Sequence, residues 1–323
     1  MSEKEVRTKG IQKLKYQGRP RQIPVYLARS FRLFVTQSDW KVLPMAAIIG
    51  GLIAFVVGRT IFRTQEATVM GAFLLSCVCI WNGCFNSIQN VCRERPILKR
   101  EHRAGMHISA FVIAQMIYQA IICALQSAIV LVIFYYAGVS FPAVSIMTPW
   151  FLMDFWITLF LMTFAADMMA FFISCIVQNT TTAMTLMPFI LMFMLMFAGG
   201  PIDLAGAAEV IQKFTLSHYG VVALTALGRF NELPMVTLWN DMIQFQDEFI
   251  YEGEKPIKLL VEAMRGDGSA YDFEMQTGQM SAQEIYNPTM ENIGKCWLII
   301  IGFAILFAFL SMVAMKFIDK DKR

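Results

Sequence analysis

Two long apolar runs, residues 68–91 and 108–136, are joined by one dense run of charge, residues 93–106, which reads RERPILKREHRAGM. In hydrocarbon each Arg, Lys or Asp costs about 2.5–3.5 kcal/mol. The charged run is therefore confined to a membrane face, and the runs on either side of it cross the bilayer. Its five basic residues, Arg93, Arg95, Lys99, Arg100 and Arg103, assign that face to the cytoplasm by the positive-inside bias. Composition agrees: 57% of the 323 residues are hydrophobic and only 16% are charged, against about 25% charged in a soluble domain. A soluble core is excluded.

Six apolar stretches approach or exceed the roughly 20 residues needed to cross a bilayer. They cover about 43–58, 68–91, 107–136, 149–177, 181–199 and 295–317, and the third and fourth are long enough to tilt or protrude. Residues 1–41 carry ten Lys and Arg against Glu3, Glu5 and Asp39, and the tail carries Lys316, Lys320, Lys322 and Arg323. An even number of spans puts these basic ends and residues 93–106 on one side, the cytoplasmic side of a cell membrane. On the other side 137–148 has no charge and 199–294 holds fourteen acidic against five basic residues, with Arg59 and Arg63 as minor exceptions. No apolar core with a small-residue cleavage site follows the N-terminal segment, so no cleaved signal peptide is expected. Within 24–40, Val25, Leu27, Ala28, Phe31, Leu33, Phe34 and Val35 alternate with Arg29 and Arg32, the pattern of a basic helix at the membrane interface. After the fifth span, 210–227 is apolar but broken by Lys213, Ser217, His218 and Gly220, which suits a re-entrant or interfacial hairpin; 231–293 is polar and glycine-punctuated, a small outer cap. The expected fold is an all-α polytopic membrane protein in four parts: 1–41 with the interfacial helix, 42–200 with spans one to five, 201–294 re-entrant and outer, and 295–323 with the last span.

Catalytic signatures are absent. The nearest approach to a phosphate loop is Gly294-Lys295, but Thr289 stands at the first glycine and Cys296 where Ser or Thr belongs. His102, His107 and His218 have no metal-ligand spacing, and neither GxSxG nor HExxH occurs. Seven cysteines lie in or beside apolar runs and read as packing residues. Uphill movement of a cargo would draw on another chain or on an ion gradient. Asp154 and Asp167 in the fourth span are intramembrane carboxylates, functional candidates by default, but thirteen residues set them about 220° apart around a helix. Asp154 reads as solvated near the outer interface. Asp167 reads as a structural hydrogen-bonding residue, with Thr163 as partner. Asn82, Asn86 and Gln89 recur at helical spacing along the second span, equally suited to interhelical bonding and to lining a cavity. Met184, Met187, Met192, Met194 and Met196 make the fifth span a soft, adaptable surface.

Glu94-Arg95, Arg100-Glu101 and Gly105-Met106 together resemble the intracellular loop of ABCG-type (white and pleiotropic-drug-resistance) ABC exporters, which reads ER-x4-RE-x3-GM. Ala114-Gln115, the stretch from Asn82 through Phe85 and Asn86, Phe197-Ala198-Gly199, and Gln212 through His218-Tyr219-Gly220 are similar to further parts of that family. The resemblance covers about 24–230 and the last span. It implies a permease that pairs two-fold with a second copy or a paralogue, and a separate ABC ATPase subunit carrying ATP and Mg, with no cofactor on this chain and no nucleic-acid partner. It implies that Arg29, Phe31 and Arg32 belong to a connecting helix. It further implies that Glu94, Arg95, Arg100, Glu101 and Gly105 belong to a helix coupling to the ATPase. Asn82, Phe85, Asn86, Met192, Leu195 and Met196 would line a central cavity that takes an amphipathic or apolar cargo. Two features depart from the family: only 41 residues precede the first span, where an ATPase domain is usually fused, and Gly200-Pro201 stands at its hydrophobic valve. A coupling helix must be stiff and held by fixed charge partners; Glu94 with Lys99, or Arg100 and Glu101 with neighbouring helices, would supply them, and Gly105 would let the chain turn into the third span. Two other readings stand beside this one: an ion-coupled carrier using Asp167, and a membrane scaffold or immunity protein that transports nothing.

Overall fold

A computed structural model describes residues 18–36, 39–202, 204–251 and 253–317; the basic segment 1–17 and the Lys320, Lys322 and Arg323 of the tail lie outside the described residues. Thirteen α-helices carry the fold among these residues: α1 (Arg19–Thr36), α2 (Val42–Val57), α3 (Gln65–Ser87), α4 (Asn90–Arg103), α5 (Ile108–Tyr136), α6 (Phe151–Ile176), α7 (Thr180–Met196), α8 (Ala207–Gln212), α9 (Leu216–Leu227), α10 (Thr237–Phe245), α11 (Pro256–Gly266), α12 (Ala270–Met280) and α13 (Met290–Lys316). No strand is formed among the described residues. The all-α polytopic expectation holds.

Among the described residues, five helical segments are long and apolar enough to cross a membrane: Asp39–Val57, Gln65–Arg103, Ile108–Tyr136, Phe151–Ile176 and Met290–Lys316. The expected fifth span is a shorter apolar helix. α7 has 17 residues, about 25 Å at 1.5 Å per residue, a little less than the roughly 30 Å hydrocarbon core. Its C-terminal carbonyls are met from α9 and the turn before it: Ser217 Oγ donates to the Met194 carbonyl, and Thr215 Oγ1 to that of Phe197 at 2.9 Å. Those hydroxyls satisfy orphan acceptors at the helix end. α9 itself is buried along nearly all of its length, packed among α3, α6 and α13.

The core is centred on α3 and α6, which pack more extensively than any other pair. Gly83 permits their approach: a Cβ there would collide with the Thr163 carbonyl oxygen and crowd Asp167 N and Ala166. Asp154 is fully buried rather than solvated. It accepts from Ser145 Oγ at 2.6 Å and from the backbone N–H groups of Ile146, Met147 and Thr148 at 3.2, 2.9 and 2.9 Å, knitting the loop ahead of α6 onto its first turn. Thr163 donates to its own helix at Leu159 and leaves Asp167 without the partner expected of it. On the opposite end of the bundle, Glu66 accepts from the N–H groups of Val236 and Thr237 at 3.0 and 2.8 Å, and Gln65 donates to the Gly278 carbonyl at 2.8 Å. These bonds tie the polar 231–293 region to the first turn of α3. All seven cysteines are free thiols, six of them buried.

Gly83→Ala should therefore lower the thermal midpoint in detergent, by about 1–3 kcal/mol of overpacking. Gly51→Ala in α2, where an added Cβ meets nothing within 4 Å, should leave the midpoint unchanged or raise it.

Candidate functional site

The charged run folds as α4, three residues earlier than its first charge. α3 stops at Ser87, short of the expected Val91, because the chain turns at Ile88 and Gln89. Ser174 Oγ of α6 then accepts from the N–H groups of Val91 and Cys92 at 3.0 and 3.2 Å, filling the role of a cap for the new helix. At the far end Gly105 adopts φ 103°, a left-handed conformation that glycine takes without strain, and the chain turns into α5.

Arg29 of α1 holds α4 by two of its carboxylates. Its Nη1 donates to both oxygens of Glu101 at 2.7 and 2.8 Å, and its Nη2 to Glu94 Oε2 at 2.7 Å. Glu94 and Glu101 are seven residues apart, two helical turns, so both point to one flank of α4. A planar guanidinium with forked donors suits this arrangement; a point-charge ammonium does not. The side chains of Arg29, Glu94 and Glu101 are 26%, 9% and 31% exposed, so water screens the cluster less than a surface pair. Burial holds the Glu94 carboxyl above the ordinary glutamate range, against the opposing pull of Arg29 and Arg93, while Glu101 and Asp39 add to the rise. Arg29, not Lys99, is thus the partner of Glu94.

Further contacts bracket the clamp. Gln22 Nε2 donates to the Gly105 carbonyl at 3.3 Å while Gln22 Oε1 accepts from His107 N at 2.9 Å. Arg93 pairs with Asp39 at 3.0 Å. Tyr26 packs edge-on against Phe111, and Phe31 and Phe34 against Tyr118, with centroids 5.7, 5.3 and 6.3 Å apart. Arg32 is exposed. Arg95 is buried and points the other way: its Nη1 donates to the carbonyls of Cys175 and Val177 at 3.1 and 2.8 Å, closing the C-terminus of α6 with a cation. Among the described residues, the α4 side chains that stay exposed are Arg93, Pro96, Ile97, Arg100, Arg103 and Ala104, a ridge at three- and four-residue spacing. Ile97 on that ridge is 48% exposed.

A cavity of about 170 Å³ lies under α1, walled also by the end of α3, α4, α5 and Met184 of α7. Phe85 and Asn86 line it, and so do Arg93 and Glu94. Asn86 exchanges two hydrogen bonds with Gln126 of α5, at 2.8 and 3.0 Å, and Asn90, Gln115 and Ser30 form a chain at 3.3 and 3.2 Å from α4 through α5 to α1. Asn82 is buried inside the bundle; Met192 and Met196 are 61% and 54% exposed on α7, and Leu195 is half-buried. The structure thus joins Arg29, Glu94, Glu101 and Gly105 in one site and sets Phe85 and Asn86 beside it. Gln22, Asp39 and Ser174 were missed, and Gln115 entered only through the family resemblance of Ala114-Gln115. The two glutamates seven residues apart were a usable signal for a shared cation; nothing local marks Ser174.

Arg29→Ala should cost about 1.5–3 kcal/mol, the worth of hydrogen bonds to charged groups, because two carboxylates are left facing each other; adding Glu101→Gln should recover part of the lost thermal midpoint. Glu94 supplies a pH test. With its pKa raised on folding, the folded protein holds a proton that the unfolded chain releases, so this group's contribution grows as pH falls from neutral toward the carboxylate range. Glu94→Gln should flatten that part of the stability–pH curve without lowering the neutral-pH midpoint.

Comparison with known families adds the wider setting. A family model described as ABC-2 type transporter matches residues 21–227, which takes in α1, the clamp, the cavity and α9. A comparison with curated proteins finds no match. The match extends over well more than half of the chain, and the charge clamp, the short buried α9 and the apolar helices all lie within it or continue it. The chain belongs to the ABC-2 type transporter family, as a membrane-embedded permease component of an ABC-type transporter.

Proposed function

We propose that the protein is the permease of an exporter of the ABCG (white and pleiotropic-drug-resistance) kind, driven by ATP and Mg on a separate ABC ATPase subunit that docks on the ridge of α4. The observation that carries this reading is the Arg29 clamp with its open face. α4 is held to α1 by Glu94 and Glu101 and to α6 by Arg95, while Ile97 stands exposed among arginines on the side turned away. An apolar residue ringed by cations on a stiff helix is a contact surface for another protein. In this reading α4 lies in the cytoplasm, both chain ends share that side, and the membrane is the plasma membrane.

The same reading gives the cargo path. Phe34, Phe85, Ile122 and Met184 supply apolar wall to the cavity beside the clamp, and Asn86 and Gln119 supply polar groups, a lining suited to an amphipathic or apolar molecule. Arg93 and Glu94 are part of that wall, so filling the cavity presses on the helix that receives the ATPase. A second permease copy or paralogue covers α7, of which only Ala183, Met187 and Leu191 are buried in one chain; Met192, Leu195 and Met196 then face the two-fold axis.

A second reading rests on Asp167. Its carboxylate is fully buried, lies against Ser87, and neither oxygen makes a hydrogen bond of ordinary geometry among the described residues. Intramembrane carboxylates of this kind serve ion-coupled carriers.

Two substitutions separate the readings. Ile97→Glu should abolish co-purification with the ABC ATPase while the permease stays folded; an unchanged complex would remove the ridge as the docking face. Asp167→Asn should leave ATP-driven transport in proteoliposomes within about twofold of wild type, whereas loss of transport with an intact complex would favour the ion-coupled carrier.

A further inference from the structure

The cavity under α1 carries an unbalanced set of charges. Among its described lining residues Asp39 and Glu94 are acidic and Arg93 is the one base. Behind that wall Arg29 ties Glu94 to Glu101, and Arg93 pairs with Asp39. Glu94 is drawn to Arg29 and Arg93 and repelled by Glu101 and Asp39, so the five side chains act as one network. Three carboxylates in it face two guanidiniums, which leaves one negative charge in excess among the described residues.

The excess falls on the cavity. Arg29 is not part of the lining; its Nη1 is committed to both oxygens of Glu101 and its Nη2 to Glu94 Oε2. Glu94 Oε1 makes no hydrogen bond among the described residues, although the side chain is only 9% exposed. A carboxylate oxygen in such a wall, largely cut off from water, favours a cation with N–H groups to donate. The neutral lining agrees. Asn90 gives its Nδ2 to Gln115 and leaves its side-chain oxygen to accept. Phe34, Phe85 and Tyr118 add aromatic rings, whose faces attract cations and repel anions.

We propose that the cavity admits the protonated amine of a cationic amphiphile, the ammonium held by Glu94 and Asp39 and the apolar body lying against Phe34, Phe85 and Met184. This names the class of cargo and rests on the cargo path proposed above.

The test is calorimetric titration of the full-chain permease in nanodiscs, without an ATPase and against empty nanodiscs, with benzylamine, benzyl alcohol and benzoate at neutral pH. The three share a ring and present a cation, a neutral group and an anion. Benzylammonium should bind saturably and about tenfold more tightly than benzyl alcohol, the worth of a hydrogen bond to a charged group, and benzoate should not bind. Two variants should then move benzylammonium in opposite directions. Asp39→Asn, which removes the negative excess, should weaken it about threefold to fivefold; Arg93→Gln, which enlarges the excess, should tighten it by a similar factor. Benzyl alcohol should bind both variants as it binds wild type. A general loss of folding weakens every ligand in both variants and cannot give opposite signs. Equal binding of the amine and the alcohol, preference for benzoate, absence of saturable binding, or the same direction in both variants would overturn the proposal. Arg93 also lies on the exposed ridge of α4, which is why the ATPase is left out. A failure here would leave the docking face standing, and an ATPase indifferent to Ile97→Glu would leave the amine site standing.

Discussion

One arginine answers two carboxylates, and the end of this permease that carries α1 and α4 is arranged around that fact. Charge cannot enter the hydrocarbon, so a charged run between two spans has to fold at the surface as something with its own partners. Here it folds as α4, and α4 is too short and too polar to be stable alone. Glu94 and Glu101 on one flank anchor it to α1, Arg95 on another to the end of α6, and Leu98 lies in an apolar cluster with Phe111, Phe171 and Met315. In the proposed coupling role this makes α4 a lever: a short helix bonded to α1 and to the end of α6 and leading, through the turn at Gly105, into α5.

The placement of the cavity gives the lever its purpose. Arg93 and Glu94 belong at once to the wall of the cavity and to the charge network of α4. In the proposed function, a movement imposed on the ridge of α4 would reach the residues around Phe85 and Asn86 through Arg93 and Glu94, which belong to both. Polar bonds between Asn86 and Gln126, and along Asn90, Gln115 and Ser30, stitch the same helices together inside the bundle. Each such bond is worth little in a membrane, about 0.6 kcal/mol on average, but together they fix which helices move as one.

Much of this was legible in the sequence, for reasons that are physical. The cost of burying charge located the run at 93–106 and the basic helix before the first span, and the resemblance to the ABCG-type loop singled out Arg29, Glu94 and Glu101 without pairing them. What stayed hidden were contacts between residues far apart in the chain. Glu94 was expected to pair with Lys99 because they are near in sequence; its partner Arg29 is 65 residues away. Ser174, which caps α4, and Gln22, which brackets its end, are ordinary polar residues until folding brings them there. The fifth span expected over 181–199 is a shorter apolar helix that ends at Met196, since Phe197 to Gly199 continues the apolar pattern while the helix has already ended at hydroxyls supplied by Thr215 and Ser217. Asp154 looked solvated because a carboxylate near a span end usually is; four donors from its own preceding loop bury it instead.

The most direct measurement is the amount of cargo moved per ATP hydrolysed by the permease reconstituted with its ATPase, comparing wild type with Arg29→Lys. Lysine keeps the charge but cannot fork between Glu94 and Glu101, so the clamp loosens while the fold survives. If the clamp carries force from α4 to the bundle, hydrolysis will continue and transport per ATP will fall several-fold. A lysine variant with the wild-type ratio would show that α4 transmits force without Arg29, and the lever described above would be wrong.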